Sequence, residues 1–155
     1  MLRISKMTDY ATVLLARLAA SPARQHTAAQ LAEQSGLALP TASKLLKLLH
    51  RQGLLTSTRG LHGGYRLARP AAEITAAQIL DALEGPVALT ECAQAQHQCG
   101  IESTCGVGRS WQRVNVAIRR ALQEITLVEL AGLAGTPVRF AALERRLRTG
   151  RAEAP

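Results

Sequence analysis

The chain has 155 residues, 47% of them hydrophobic, which is enough for one domain, or a small module with an appended arm, to bury a core unaided. Its formal net charge of +8 favours polyanionic partners. The apolar N-terminal stretch is interrupted by Lys6, Asp9 and Arg17, which excludes a signal-peptide core or a membrane span there; no other apolar run is long enough, and a cytoplasmic protein is expected. Met7, Tyr10, Ala11, Leu14, Leu15 and Leu18 recur at helical spacing behind an N-cap at Ser5 and predict a first helix ending before Ser21-Pro22. Thr27 and Gln30 form the sequence of a capping box for a short second helix closed by Gly36. Pro40 opens a third, with Ala42, Leu45, Leu46, Leu48 and Leu49 on one side and Thr41, Ser43, Lys44 and Lys47 on the other. The last two helices read as a helix-turn-helix.

Leu54–Arg59 and Tyr65–Ala68 read as strands around a glycine-rich turn at Gly60-Leu61-His62-Gly63-Gly64, so a hairpin, or wing, follows the helix-turn-helix. From Gln34 to Ala72 there is no Asp or Glu, while Lys44, Lys47, Arg51, Arg59, Arg66 and Arg69 all lie within that block. Charge alone suits either a solvated basic face or a phosphate-facing one. The winged helix-turn-helix decides for double-stranded DNA. In that arrangement Thr41, Ser43 and Lys44 are candidates for base edges, although Thr41 and Ser43 also suit an ordinary first helical turn. Lys44 and Lys47 suit phosphate binding, and Arg59 and His62 are the candidates for wing contacts. His26 and His50 read as residues on solvated helix ends, without the neighbours a metal site requires.

Thr75 and Gln78 repeat the capping-box pattern, and Ile74, Ile79, Leu80 and Leu83 predict a helix stopped at Gly85-Pro86. All three cysteines, Cys92, Cys99 and Cys105, then fall in one fourteen-residue window, separated by six and five residues. An odd count cannot complete a disulfide framework, and the polar surroundings do not suit buried thiols, so ligation of a soft metal or an iron-sulfur cluster leads. Beyond the window, Trp111, Val114, Ala117, Ile118, Ala121, Leu122 and Ile125 trace a stripe along a helix of about twenty residues. That face needs a partner: the same helix of a second subunit, or the chain's own domain. Thr126 with Glu129 suits the start of a further short helix. Residues 136–155 hold five arginines against two glutamates, and a partly disordered tail is expected there.

The N-terminal MLRISKMTDYA, the segment RGLHGGYRLARP and the three-cysteine loop before a long helix together resemble the Rrf2 family of winged-helix regulators, over nearly all of residues 1 to 135. The opening MLRISKMTDYATVLLA and the cysteine spacing are most similar to its branch of regulators of SUF-type iron-sulfur assembly genes. The resemblance implies a homodimer that binds a cluster through Cys92, Cys99 and Cys105 and alters its DNA affinity with cluster state. IscR-like members carry a histidine three residues after the last cysteine, where this chain has Gly108. Asp9 matches the N-terminal carboxylate of NsrR-like members and is the provisional fourth ligand; His97 is its rival, and Glu91 and Glu102 are further candidates.

The expected fold is mainly α: a winged helix-turn-helix DNA-binding domain over 1–86, a cluster-binding loop over 87–108, a dimerisation helix over 109–135 and a basic tail. The expected function is a DNA-binding transcription regulator, a repressor of SUF-type genes, carrying a 2Fe-2S or 4Fe-4S cluster. A nitric oxide- or redox-responsive regulator, with the cysteines as a cluster or a metal-free thiol switch, is the alternative. A zinc site built from the cysteines and His97 lacks the short paired spacings of zinc knuckles. An enzyme is not expected, because no nucleophile–base arrangement or phosphate-cradling glycine loop is present.

Overall fold

The computed structural model describes residues 3–60, 63–90 and 105–134. Helix α1 (Lys6–Ala20) starts at Ser5, whose hydroxyl accepts the Thr8 amide. Helix α2 (Ala28–Ser35) starts with the reciprocal Thr27–Gln30 capping box and stops at Gly36, whose φ of 68° is a left-handed conformation that glycine adopts at low cost. Helix α3 (Leu39–Arg51) carries Pro40 in its first turn, where a missing N–H loses no intrahelical bond. The apolar faces of the three helices meet, and Ala11, Leu14, Leu15, Leu18, Leu31, Leu45, Leu46 and Leu49 are buried in one core. Each fully buried leucine contributes about 1.5–3 kcal/mol, so the local pattern and the packing reinforce one another. Met7, expected on the buried face of α1, is exposed, and its neighbour Thr8 is buried instead.

Strands β1 (Leu55–Thr58) and β2 (Gly64–Leu67) pair antiparallel, with Leu55 opposite Leu67 and Ser57 opposite Tyr65. The hairpin is anchored at its second strand. His26 and Tyr65 exchange backbone hydrogen bonds of 3.1 and 2.8 Å, which ties the wing to the residue before the N-cap of α2. Gly64 permits this approach, because a Cβ there would lie 2.7 Å from the His26 carbonyl oxygen.

A 3-10 turn (Ala71–Glu73) leads into helix α4 (Ala76–Glu84), which has the Thr75–Gln78 capping box in place. Helix α5 (Gly108–Glu124) is shorter than the helix expected over 109–135. Ile125 continues the apolar stripe but is extended, at φ −92° and ψ 120°, and Thr126 caps helix α6 (Leu127–Leu130). The chain turns back here: the Ala76 amide donates to the Ile125 carbonyl at 2.8 Å, the Leu127 amide donates to the Ile74 carbonyl at 2.7 Å, and Leu127 enters the core between the helices. Residues 125–134 therefore pack with the N-terminal helices and do not prolong α5.

Helix α5 is divided in its environment. Arg119 donates to both carboxylate oxygens of Asp81 on α4, at 2.9 and 2.6 Å, while Trp111, Val114 and Val116 are exposed, at 45%, 42% and 48%. The expected tail over 136–155 lies outside the described residues.

Candidate nucleic-acid interface and cysteine segment

The helix-turn-helix is held by a buried seam, and the same periodicity that buries Leu45, Leu46 and Leu49 turns Lys44, Lys47, His50 and Arg51 to the surface. Thr41 and Ser43, in the first turn of α3, are half-buried. Arg59 lies at the end of β1, and the structure brings it together with Lys47 along one cleft between α3 and the hairpin. Thr41, Ser43 and Lys44 are outside that cleft, towards the start of the helix. His62 lies outside the described residues.

His26 departs from the sequence expectation. It is buried, at 4% exposure, and neither ring nitrogen has a hydrogen-bond partner. Burial, with the positive charge of Arg24, holds its pKa below 6.5. In the window between the folded value and 6.5 the unfolded chain binds more protons, so stability is complete above 6.5 and falls as pH drops through the window. Thermal unfolding between about pH 5 and 8 is expected to show this decline, and His26→Leu is expected to flatten it. The carboxylates Glu84 and Glu129, whose pKa values are also lowered, act below about 4.5 and leave the histidine window clear. A decline of equal size in the variant would show that the buried imidazole is not its source.

Asp9 is exposed on the first turn of α1 and borders a mainly apolar cavity of about 740 Å³, walled by Ile4, Ile79, Leu122, Ile125 and Leu130. Glu84, at the end of α4, closes over the same first turn. Its Oε1 accepts the Ser5 amide at 2.9 Å and the Thr8 hydroxyl at 2.5 Å, and these hydrogen bonds hold its carboxyl below the usual range. The sequence reading missed both Thr8 and Glu84. A polar residue one place from an apolar stripe gives no local sign that its partner lies 76 residues away.

Of the three cysteines, Cys105 is described: a free, half-buried thiol just before α5. Cys92 and Cys99 lie outside the described residues, as do Glu91, His97 and Glu102. Gly108 stands against the thiol, since a Cβ there would lie 3.7 Å from the Cys105 Sγ. The position three residues after the last cysteine thus faces the sulfur, but glycine brings no donor to it. Among the described residues no three His, Cys, Asp or Glu side chains come together as a metal site, and Cys105 does not line the cavity that Asp9 borders. Among the described residues the Cys105 thiol is the one soft donor at this point of the fold, and Gly108 adds none.

A helix-turn-helix, an antiparallel wing and a long following helix set the context for the comparison with known proteins. Residues 4–132 match the Rrf2 family, "Iron-dependent Transcriptional regulator". This chain belongs to the Rrf2 family. Protein aau3 of Rhizobium meliloti (strain 1021) is 32% identical over 130 residues, covering 83% of this chain and 84% of aau3. The regulator IscR of Serratia proteamaculans (strain 568) is 32% identical over 102 residues, 66% of this chain and 62% of IscR. Among solved structures, CymR, the global cysteine regulator of B. subtilis, is similar with a TM-score of 0.67 at 27% identity, over 86% of this chain and 98% of CymR. IscR of T. potens gives a TM-score of 0.64 at 27% identity, over 86% and 88% of the two chains. This Rrf2 protein is therefore a winged-helix, DNA-binding transcription regulator, as IscR and CymR are regulators. Among its described residues no helix is long and apolar enough to cross a membrane.

Proposed function

We propose that this Rrf2 regulator is a homodimeric repressor that holds an iron-sulfur cluster and controls SUF-type iron-sulfur assembly genes according to cluster supply. The observation that carries the reading is the set of three thiols confined to one segment, with Cys105 half-buried at the foot of α5. Cys92, Cys99 and Cys105 hold the cluster, of 2Fe-2S or 4Fe-4S type, and Asp9 is the fourth ligand, contributed from the opposite subunit. When bound, the cluster supplies iron–thiolate bonds whose persistence depends on iron, sulfide and oxidants. The absence of a donor at Gly108 leaves the fourth bond to a harder oxygen ligand, and such a bond is easier to break.

The segment lies in the chain between α4, which belongs to the DNA-reading domain of residues 1–86, and α5, which we assign to dimerisation. Trp111 and Val114, exposed one turn apart on α5, supply an apolar face for the same helix of a second subunit. A two-fold pair then presents two α3 helices to a palindromic operator. Binding of the cluster to the 87–108 segment would set the spacing of the two readers, and loss of the cluster would release it. Glu84 is placed to transmit that change, because it joins the end of α4 to the turn of α1 that carries Asp9.

Thr41, Ser43 and Lys44 read base edges, and Lys47, Arg59 and His62 hold the backbone and the wing's groove. Operator selection from a random pool, followed by titration of the cluster-loaded and cluster-free protein, tests both halves of the reading; equal affinities would remove the sensing half. Lys47→Ala is expected to weaken every sequence alike and to lower the salt slope by about 1, whereas Thr41→Ala or Lys44→Ala should change operator ranking by about 1–3 kcal/mol at a contacted base. An unaltered ranking in both latter variants would end the base-reading assignment. The second reading, a nitric oxide- or redox-responsive regulator with the cysteines as a metal-free thiol switch, is favoured by the bare Gly108 beside the Cys105 sulfur, and would appear as reversible thiol oxidation in iron-free protein.

A further inference from the structure

The cleft between α3 and the wing contains more than the two residues singled out from the sequence. Its volume is about 620 Å³, and its walls are Lys47, His50 and Arg51 from α3, Ser57, Thr58 and Arg59 from the first strand and turn, and Gly64 and Tyr65 from the second strand. Among the described residues no carboxylate lines it. Lys47, His50 and Arg51 stand at i, i+3 and i+4, so one helix face presents all three, and Ser57 and Tyr65 are a cross-strand pair on the opposing wall.

A cleft with three fixed cations, an imidazole and several hydroxyls is built for an anion with many acceptor oxygens. We infer that it seats the sugar-phosphate backbone of one DNA strand, with Arg51 and His50 as phosphate contacts. This inference rests on the DNA-binding reading and deepens it, by naming a backbone site towards the C-terminal half of α3, away from the base-reading residues. Arg51 offers a planar fork of donors to phosphate oxygens, and Tyr65 and Ser57 add hydroxyl donors from the wing side. His50 faces Lys47 and Arg51 on its own helix, Arg59 on the first strand's turn and Tyr65 on the second strand.

The test uses the full chain and a fluorescently labelled duplex of random sequence, so that it does not depend on knowing the operator. Anisotropy titrations from about 50 to 200 mM salt are expected to show Arg51→Gln binding roughly tenfold more weakly, with a salt slope smaller by about 1, and Arg51→Lys restoring the slope. His50→Ala is expected to weaken binding a few-fold on every duplex while leaving the salt slope near that of the wild type. Both residues are exposed, so circular dichroism is expected to show the variants folded. A wild-type salt slope in Arg51→Gln, or wild-type affinity in His50→Ala, would overturn the inference while leaving DNA binding in place. Failure of the wild type to bind any duplex would remove both readings together.

Discussion

Cys105→Ala is expected to strip iron and acid-labile sulfide from the anaerobically purified protein, together with the visible absorption they produce, and to abolish any difference in operator affinity between reconstituted and chelator-treated samples. The effect should be near complete. Three thiols confined to 92–105 are the only cysteines in the chain, so no fourth thiol can replace the lost one. Cys105 stands next to Gly108, and no side chain at that position can move in to compensate. Cys92→Ala and Cys99→Ala should behave alike if the three act as one ligand set. Iron and sulfide analysis of all three variants beside the wild type is the measurement. A wild type that takes up no sulfide under reconstituting conditions would exclude the cluster, and zinc in its place would give colourless protein. DNA binding, which rests on residues 34–69, would survive either result.

Leu127→Ala should destabilise the fold by about 2–5 kcal/mol, the range for removing most of a buried leucine side chain and leaving a cavity. Leu127 is fully buried, among residues contributed by the N-terminal helices. Its amide, at 2.7 Å from the Ile74 carbonyl, also closes the short bridge that fastens the end of α5 to the start of α4. The loss is thus expected to reach beyond stability. If α5 carries the dimer contact, loosening its C-terminal anchor lets the two DNA-reading domains vary in spacing, and affinity for a palindromic site should fall more than affinity for a half-site. Urea unfolding measures the first effect, and paired titrations on whole and half sites measure the second. A cost below about 1 kcal/mol would show that the cavity collapses or that the segment contributes little to the fold.

Residues of the interface were largely legible because their placement is a consequence of local periodicity. Once Leu45, Leu46 and Leu49 are turned inwards, Lys44, Lys47, His50 and Arg51 must face outwards. Capping chemistry is equally local, and Thr27–Gln30, Thr75–Gln78 and Thr126–Glu129 each form the box their spacing predicts. The end of α5 was not legible. Ile125 is in phase with the apolar stripe, and periodicity carries the helix through it, yet its carbonyl is taken by Ala76 and its backbone is extended. A residue in phase with a helix can equally be the first residue of the return path, and the choice is made by a partner about fifty positions away in the chain.

The amino-acid order by itself determined the helix-turn-helix, the wing, the acid-free block and the thiol cluster, because each depends on side chains within a few residues of one another. Tertiary structure alone decided that His26 is buried under the wing, that Glu84 latches α1, that Arg119 grips Asp81 and that Leu127 completes the core. Those contacts join positions 38 to 79 residues apart, or a histidine to a distant strand, and arise when separate elements pack. Burial and electrostatic pairing depend on which surfaces meet in space, a property that hydrophobic period and capping pattern do not specify.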